Sequence, residues 1–93
     1  MSESEFNESV KFLTTSPDAK ALKVDTKTKL KLYGLFKQAT VGPNNTPKPS
    51  FTKITDSYKW KAWTACGNMT NADARAAYVD AVRKLRAANS SKL

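Results

Sequence analysis

The stretch Leu30-Lys31-Leu32-Tyr33-Gly34-Leu35-Phe36-Lys37-Gln38-Ala39-Thr40-Val41-Gly42 decides how the rest of the chain is read. Leu32, Leu35, Phe36 and Ala39 recur at the spacing of one helical face, while Leu30, Tyr33 and Lys37 follow a second line at i, i+3, i+7. With Asp25 or Thr26 as N-cap, the spacing predicts a helix over roughly 26–40. Gly42 stands where a glycine ends such an element. Gly34, in mid-helix, costs about 1 kcal/mol relative to Ala, which points to close packing or close ligand approach.

Three further helical patterns surround this one. Toward the N-terminus, a helix is expected from about Ser2 to Thr14: Ser2 and Glu5 fit a capping box, and Phe6, Val10 and Leu13 share a face. Ser16-Pro17-Asp18 interrupts it, and residues 18–26 read equally as a short helical turn or an ordered connector. Toward the C-terminus, Val41 to Ser50 holds three of the four prolines, a composition that supports no regular element. A connection of this length exceeds the usual 2–8 residues between packed helices, so it is expected to cross the bundle, and the helices it joins need not be antiparallel neighbours. A third helix follows over Thr55 to Cys66, with Trp60 and Trp63 at i, i+3 and Gly67 closing it. Thr70 with Asp73 caps a fourth, about 71–88, whose face carries Ala77, Tyr78, Ala81, Val82 and Leu85. There is no internal repeat. The expected fold class is all-α, a four-helix bundle with one long crossover loop between helices two and three, spanning 1–93 as a single domain.

Ninety-three residues of which 40% are hydrophobic close one modest core and no second. Sixteen Lys and Arg against eight acids give a formal charge of +8, which favours an anionic partner: nucleic acid, an anionic membrane or a phosphorylated small molecule. The chain contains no histidine, so a His-based triad and a Cys/His zinc site are both excluded. Cys66 is the single cysteine; it reads as a small buried or half-buried residue in reducing surroundings. No apolar run approaches the ~20 residues needed to span a bilayer, and MSESEFNESV lacks the bases and apolar stretch of a secretory signal. Ser91-Lys92-Leu93 at the last three positions reads as a peroxisomal address.

The motif Tyr33-Gly34-Leu35-Phe36-Lys37-Gln38-Ala39-Thr40-Val41-Gly42, then Pro49 in the loop, then Lys59-Trp60-Lys61-Ala62-Trp63, resembles the signature of the acyl-CoA-binding protein family, with Ala77-Tyr78 as a third match. The resemblance runs from Leu30 to about Leu85. It implies a four-helix bundle that binds one medium- to long-chain acyl-CoA ester as an intracellular carrier, recognises the CoA 3′-phosphate and adenine, and shields the acyl chain. Carried over by position, Tyr33 and Lys37 would contact the 3′-phosphate, Lys59 would approach it from helix three, Phe36 would stack on adenine where the family usually has Tyr, and Tyr78 would line the ligand groove. Lys11, in Val10-Lys11-Phe12-Leu13, matches a family lysine on helix one that also reaches the nucleotide. Helix one does not align cleanly at its start, and the stretch between Pro17 and Tyr33 is longer than in the shortest members. The family type is cytoplasmic, and a monomer is the expected state of a lone binding domain. No cofactor, metal or nucleic acid is implied, and transient contact with membranes or acyl-CoA-using enzymes is compatible with it.

The residue types suit that task without the family name. Tyr33 and Lys37, four residues apart, share a helix face. A phenol hydroxyl and an ammonium both donate to phosphate oxygens, and charge-assisted hydrogen bonds contribute ~1.5–3 kcal/mol each. Phe36 offers a ring face to adenine, where stacking contributes ~1–3 kcal/mol. Each fully buried methylene of an acyl chain adds up to ~0.8 kcal/mol. Together these exceed an association cost of ~4–15 kcal/mol. Taken singly, Tyr33 is an ordinary boundary tyrosine, Lys37 and Lys59 are solvated lysines, and Trp60 and Trp63 are core residues, with Trp60 at the groove edge. Their joint appearance in one ordered pattern is what singles out Tyr33, Lys37 and Lys59. Lys20, Lys23, Lys27, Lys29 and Lys31 read as a solvated basic face that steers anions. The competing readings are a nucleic-acid-binding helical module, which lacks a recognition-helix motif here, and a CoA-dependent enzyme, which would have neither histidine nor a second domain to work with.

Overall fold

The computed structural model describes residues 3–15 and 24–90. The Asp25 carboxylate caps helix Thr26–Thr40 by accepting the Thr28 backbone N–H at 2.7 Å. Three other helices are present among the described residues, and in chain order the set is α1 (Glu3–Thr15), α2 (Thr26–Thr40), α3 (Ile54–Thr64) and α4 (Asn71–Ser90). The all-α expectation holds. Ser2, most of the ambiguous 18–26 segment and the Ser91–Leu93 tripeptide lie outside the described residues.

Each helix end has an identifiable cause. α2 stops where Gly42 takes φ +107°, with the N–H groups of Val41 and Gly42 both donating to the Lys37 carbonyl, at 2.7 and 3.2 Å. α3 starts one residue earlier than its pattern and ends two earlier. Its last turn tightens instead, as Cys66 N–H donates to the Trp63 carbonyl and Gly67 N–H to that of Thr64, each at 3.0 Å, before Gly67 turns the chain at φ +60°. Thr70 Oγ1 accepts the Asp73 N–H at 3.0 Å, which is the expected cap of α4.

α2 is the central element and packs against both α3 and α4, while α1 packs against α4. Gly34 marks the α2–α3 crossing: a Cβ built there would stand 2.5 Å from the Ala62 carbonyl oxygen and 3.1 Å from the Trp63 nitrogen. The missing side chain therefore serves helix contact. The core joins Phe6 of α1, Leu32, Leu35 and Ala39 of α2, and Ala74, Tyr78, Val79 and Val82 of α4. α1 is tied to α4 by Arg83 and Glu5 at 3.6 Å and by the Arg86 guanidinium over the Phe12 ring at 4.1 Å.

The long crossover loop is present, but it joins helices that are neighbours. Its first half, Gly42 to Thr46, is instead held against α3 by side chains. Trp63 Nε1–H donates to the Gly42 carbonyl at 2.8 Å, Trp60 Nε1–H to that of Thr46 at 3.0 Å, and Asn44 Nδ2 to Thr64 Oγ1 at 2.9 Å. Gln38, fully buried, does the same for the α3–α4 connection: its Nε2 donates to the carbonyls of Gly67 at 3.1 Å and Met69 at 2.7 Å.

Candidate ligand-binding site

Helical periodicity places Tyr33 and Lys37 one turn apart on the α2 flank beside α3. The Gly34 contact draws the two helices together, so Lys59 on α3 reaches across: its Nζ lies 5.4 Å from the centre of the Tyr33 ring. Lys37 Nζ lies 5.0 Å from the Trp63 ring centre. Tyr33, Lys59, Trp60 and Trp63 line one cavity of about 250 Å³, closed on the loop side by Thr46, Pro47 and Pro49. Among the described residues neither Lys37 nor Lys59 is engaged in an ion pair. Each ammonium rests over an aromatic face, a contact of about 0.5–1 kcal/mol at exposed sites, which is small beside a charge-assisted hydrogen bond to an anion.

Phe36 of α2 meets Tyr78 of α4 and Phe6 of α1 elsewhere. The Phe36 ring stacks on Phe6 with centroids 6.3 Å apart and lies 6.4 Å from Tyr78, which in turn meets Phe6 edge-on at 5.2 Å. Phe36 is half-buried, so part of its surface serves packing. Tyr78 is only 5% exposed, and burial pushes its phenol pKa above the ordinary tyrosine value. Lys11 is exposed on α1, the helix that reaches α2 through the Phe6–Phe36 ring pair.

One role and one residue escaped the sequence reading. Trp63 and Trp60 read as core or groove-edge residues, yet their indole N–H groups fix the loop that closes the cavity. Their i, i+3 spacing beside a proline-rich loop carried a signal, but not of which carbonyls they bind. Asp56, in the first turn of α3, brings a carboxylate to the same cavity as Lys59. No sequence motif marked it. Cys66 is half-buried with its thiol pKa raised by desolvation, as befits a packing residue and not a nucleophile. No group of His, Cys, Asp or Glu able to hold a metal occurs among the described residues.

The bundle thus gathers phenol, indole and ammonium groups around one cavity, a set chemically suited to an anion. The chain belongs to the acyl-CoA-binding protein family: the family model "Acyl CoA binding protein" matches residues 3–82. It is 41% identical over 81 residues to acyl-CoA-binding domain-containing protein 2 of Oryza sativa subsp. japonica, covering 87% of this chain and 85% of that one. Acyl-CoA-binding domain-containing protein 5 of Xenopus tropicalis is 39% identical over 80 residues, covering 86% of this chain but 18% of the longer relative. The crystal structure of Oryza sativa acyl-CoA-binding protein 2 superposes with a TM-score of 0.85 at 36% identity, over 98% of this chain and 97% of that one.

Proposed function

We propose that this chain, acting over 1–93 as one monomeric domain, carries medium- to long-chain acyl-CoA esters by gripping the CoA 3′-phosphate and adenine while sheltering the acyl chain. The family supports the carrier role. The observation that carries the finer reading is the approach of Tyr33 and Lys59, from two helices, around one cavity whose Trp63 wall also holds the Lys37 ammonium. A phosphate entering there exchanges ring-face contacts for charge-assisted hydrogen bonds from two ammonium groups and a phenol. Phe36 supplies a ring for adenine, Tyr78, whose ring centre lies 6.4 Å from that of Phe36, lines the groove, and Lys11 adds a cation from α1. No step on the thioester follows from this arrangement, because binding and exclusion of water are the whole task.

Calorimetric titration tests the proposal. Palmitoyl-CoA is expected to bind at submicromolar concentration, with free CoA, dephospho-CoA and free palmitate each weaker. Failure of palmitoyl-CoA to bind at micromolar concentration would refute it, as would turnover of the thioester or a nucleic-acid gel shift that saturates at physiological salt. For Ser91-Lys92-Leu93 placed at a chain terminus, import of a fluorescent fusion into peroxisomes is the corresponding test.

A further inference from the structure

Between the two indole contacts that pin the crossover loop to α3 stands a side chain whose hydrogen-bonding capacity is fully used. Asn44 is half-buried. Its Oδ1 accepts the Thr46 backbone N–H at 2.9 Å and the Thr46 hydroxyl at 2.5 Å, closing a tight turn over Asn45. Its Nδ2 donates to Thr64 Oγ1 at 2.9 Å and, at 3.4 Å, to the Trp60 carbonyl. That carbonyl also accepts the Thr64 hydroxyl at 2.7 Å. The Thr46 carbonyl in turn accepts the Trp60 indole N–H at 3.0 Å. The bonds form a closed circuit, from Trp60 to Thr46, from Thr46 to Asn44, and from Asn44 back to the last turn of α3. An asparagine amide offers two donor hydrogens and an oxygen that accepts twice, and here all four are engaged. The amide cannot be turned over, because Nδ2 would then face the Thr46 N–H.

Neither Asn44 nor Thr64 lines the cavity of Tyr33, Lys59, Trp60 and Trp63, whereas Thr46 and Pro47 form its loop wall. Asn44 therefore bears on the cavity through Thr46. We propose that Asn44 is a positioning residue for ligand selectivity: by tying Thr46 to α3 it holds the loop wall beside Lys59 and Trp60, and so sharpens the preference for CoA esters that carry the 3′-phosphate. The assignment rests on the reading that this cavity receives that phosphate. A wall held close keeps water out, and the attraction between ammonium and phosphate grows as the effective dielectric falls. Without the tether, water enters beside Lys59 and the same charge pair contributes less. A ligand that lacks the 3′-phosphate has no charge in the cavity for the wall to favour.

Calorimetric titration of palmitoyl-CoA and of palmitoyl-dephospho-CoA, against the wild-type chain and three variants, tests the assignment. The wild type is expected to prefer palmitoyl-CoA. Asn44→Ala removes the centre of the circuit and should cut that preference about fivefold, through weaker palmitoyl-CoA binding with the dephospho ester bound as before. Thr64→Val acts from α3, outside the cavity, and deletes the acceptor of the tether while leaving the loop intact. It should cut the preference about threefold, and Thr64→Ser, which keeps the hydroxyl, should restore it. Three results overturn the assignment while leaving the phosphate reading in place. One is a preference that survives both Asn44→Ala and Thr64→Val. Another is an equal loss of affinity for the two esters, the mark of a brace that serves the fold alone. The third is failure of Thr64→Ser to restore what Thr64→Val removes. A wild type that binds the two esters equally refutes the phosphate reading of the cavity itself, and the assignment falls with it.

Discussion

Lys59 and Asp56 border the same cavity with opposite charges, and the balance between them bears on affinity. Lys59→Ala removes an ammonium that lies over Tyr33 and is exposed, so it should weaken palmitoyl-CoA binding by ~1.5–3 kcal/mol with little change in melting temperature. Asp56→Asn should act in the other direction. Removing a carboxylate beside an incoming phosphate should tighten binding by up to about fivefold in low-salt calorimetry, the range of surface charge pairs. The same change should cost about 0.3–1 kcal/mol of stability, because Asp56 occupies the first turn of α3, where the helix dipole favours an anion. At Tyr78 the folded-state pKa is raised by burial. The unfolded phenol then ionises first, so stability should fall as pH rises through and above the ordinary tyrosine value of 10.0. Tyr78→Phe should lessen that alkaline loss, as read from denaturant midpoints across the range.

At the scale of elements, α2 and α3 touch backbone to backbone, and Gly34 makes that possible. Gly34→Ala would regain about 1 kcal/mol of helix propensity, but its methyl would meet the Ala62 carbonyl, and overpacking costs ~1–3 kcal/mol. A net destabilisation of about 1–2 kcal/mol is expected, seen as a lower melting temperature. Affinity for palmitoyl-CoA should fall with it, because the displaced α3 carries Lys59 away from Tyr33. The loop between these helices is equally committed. The indoles of Trp60 and Trp63 and the amide of Asn44 tie it to α3, so a segment without regular structure still forms a wall of the site.

For the whole molecule, the formal charge of +8 is more than the proposed phosphate site needs. Lysines lie along α2, along α3 and in the cavity, and their summed field attracts anions before contact. The association rate for palmitoyl-CoA should therefore fall as salt rises from about 10 to about 150 mM, while the dissociation rate changes much less. Stopped-flow measurement of both rates checks this. Equal salt sensitivity of the two would mean that the distributed charge does not steer the ligand.

Much of this organisation was legible before folding is considered, because it depends on local chemistry. The 3.6-residue periodicity around Tyr33 to Ala39, the Asp25 and Thr70 caps and the Gly42 and Gly67 stops are set by neighbours within one turn, and the helices begin and end within three residues of those signals. The ordered run from Tyr33 to Trp63 likewise named the family, since it is a property of order along the chain. Contacts between distant residues were a different matter. That Gly34 serves helix packing, that the crossover joins neighbouring helices, that Gln38 braces the turn before α4, and that Asp56 shares the Lys59 cavity all depend on which surfaces meet. The same holds for the exposure of Phe51, Ile54 and Tyr58, apolar residues that the packed bundle leaves outside. Periodicity tells which residues share a face. Only the close packing of whole helices decides what that face meets, because a side chain's burial is the sum of contacts from elements far apart in the chain.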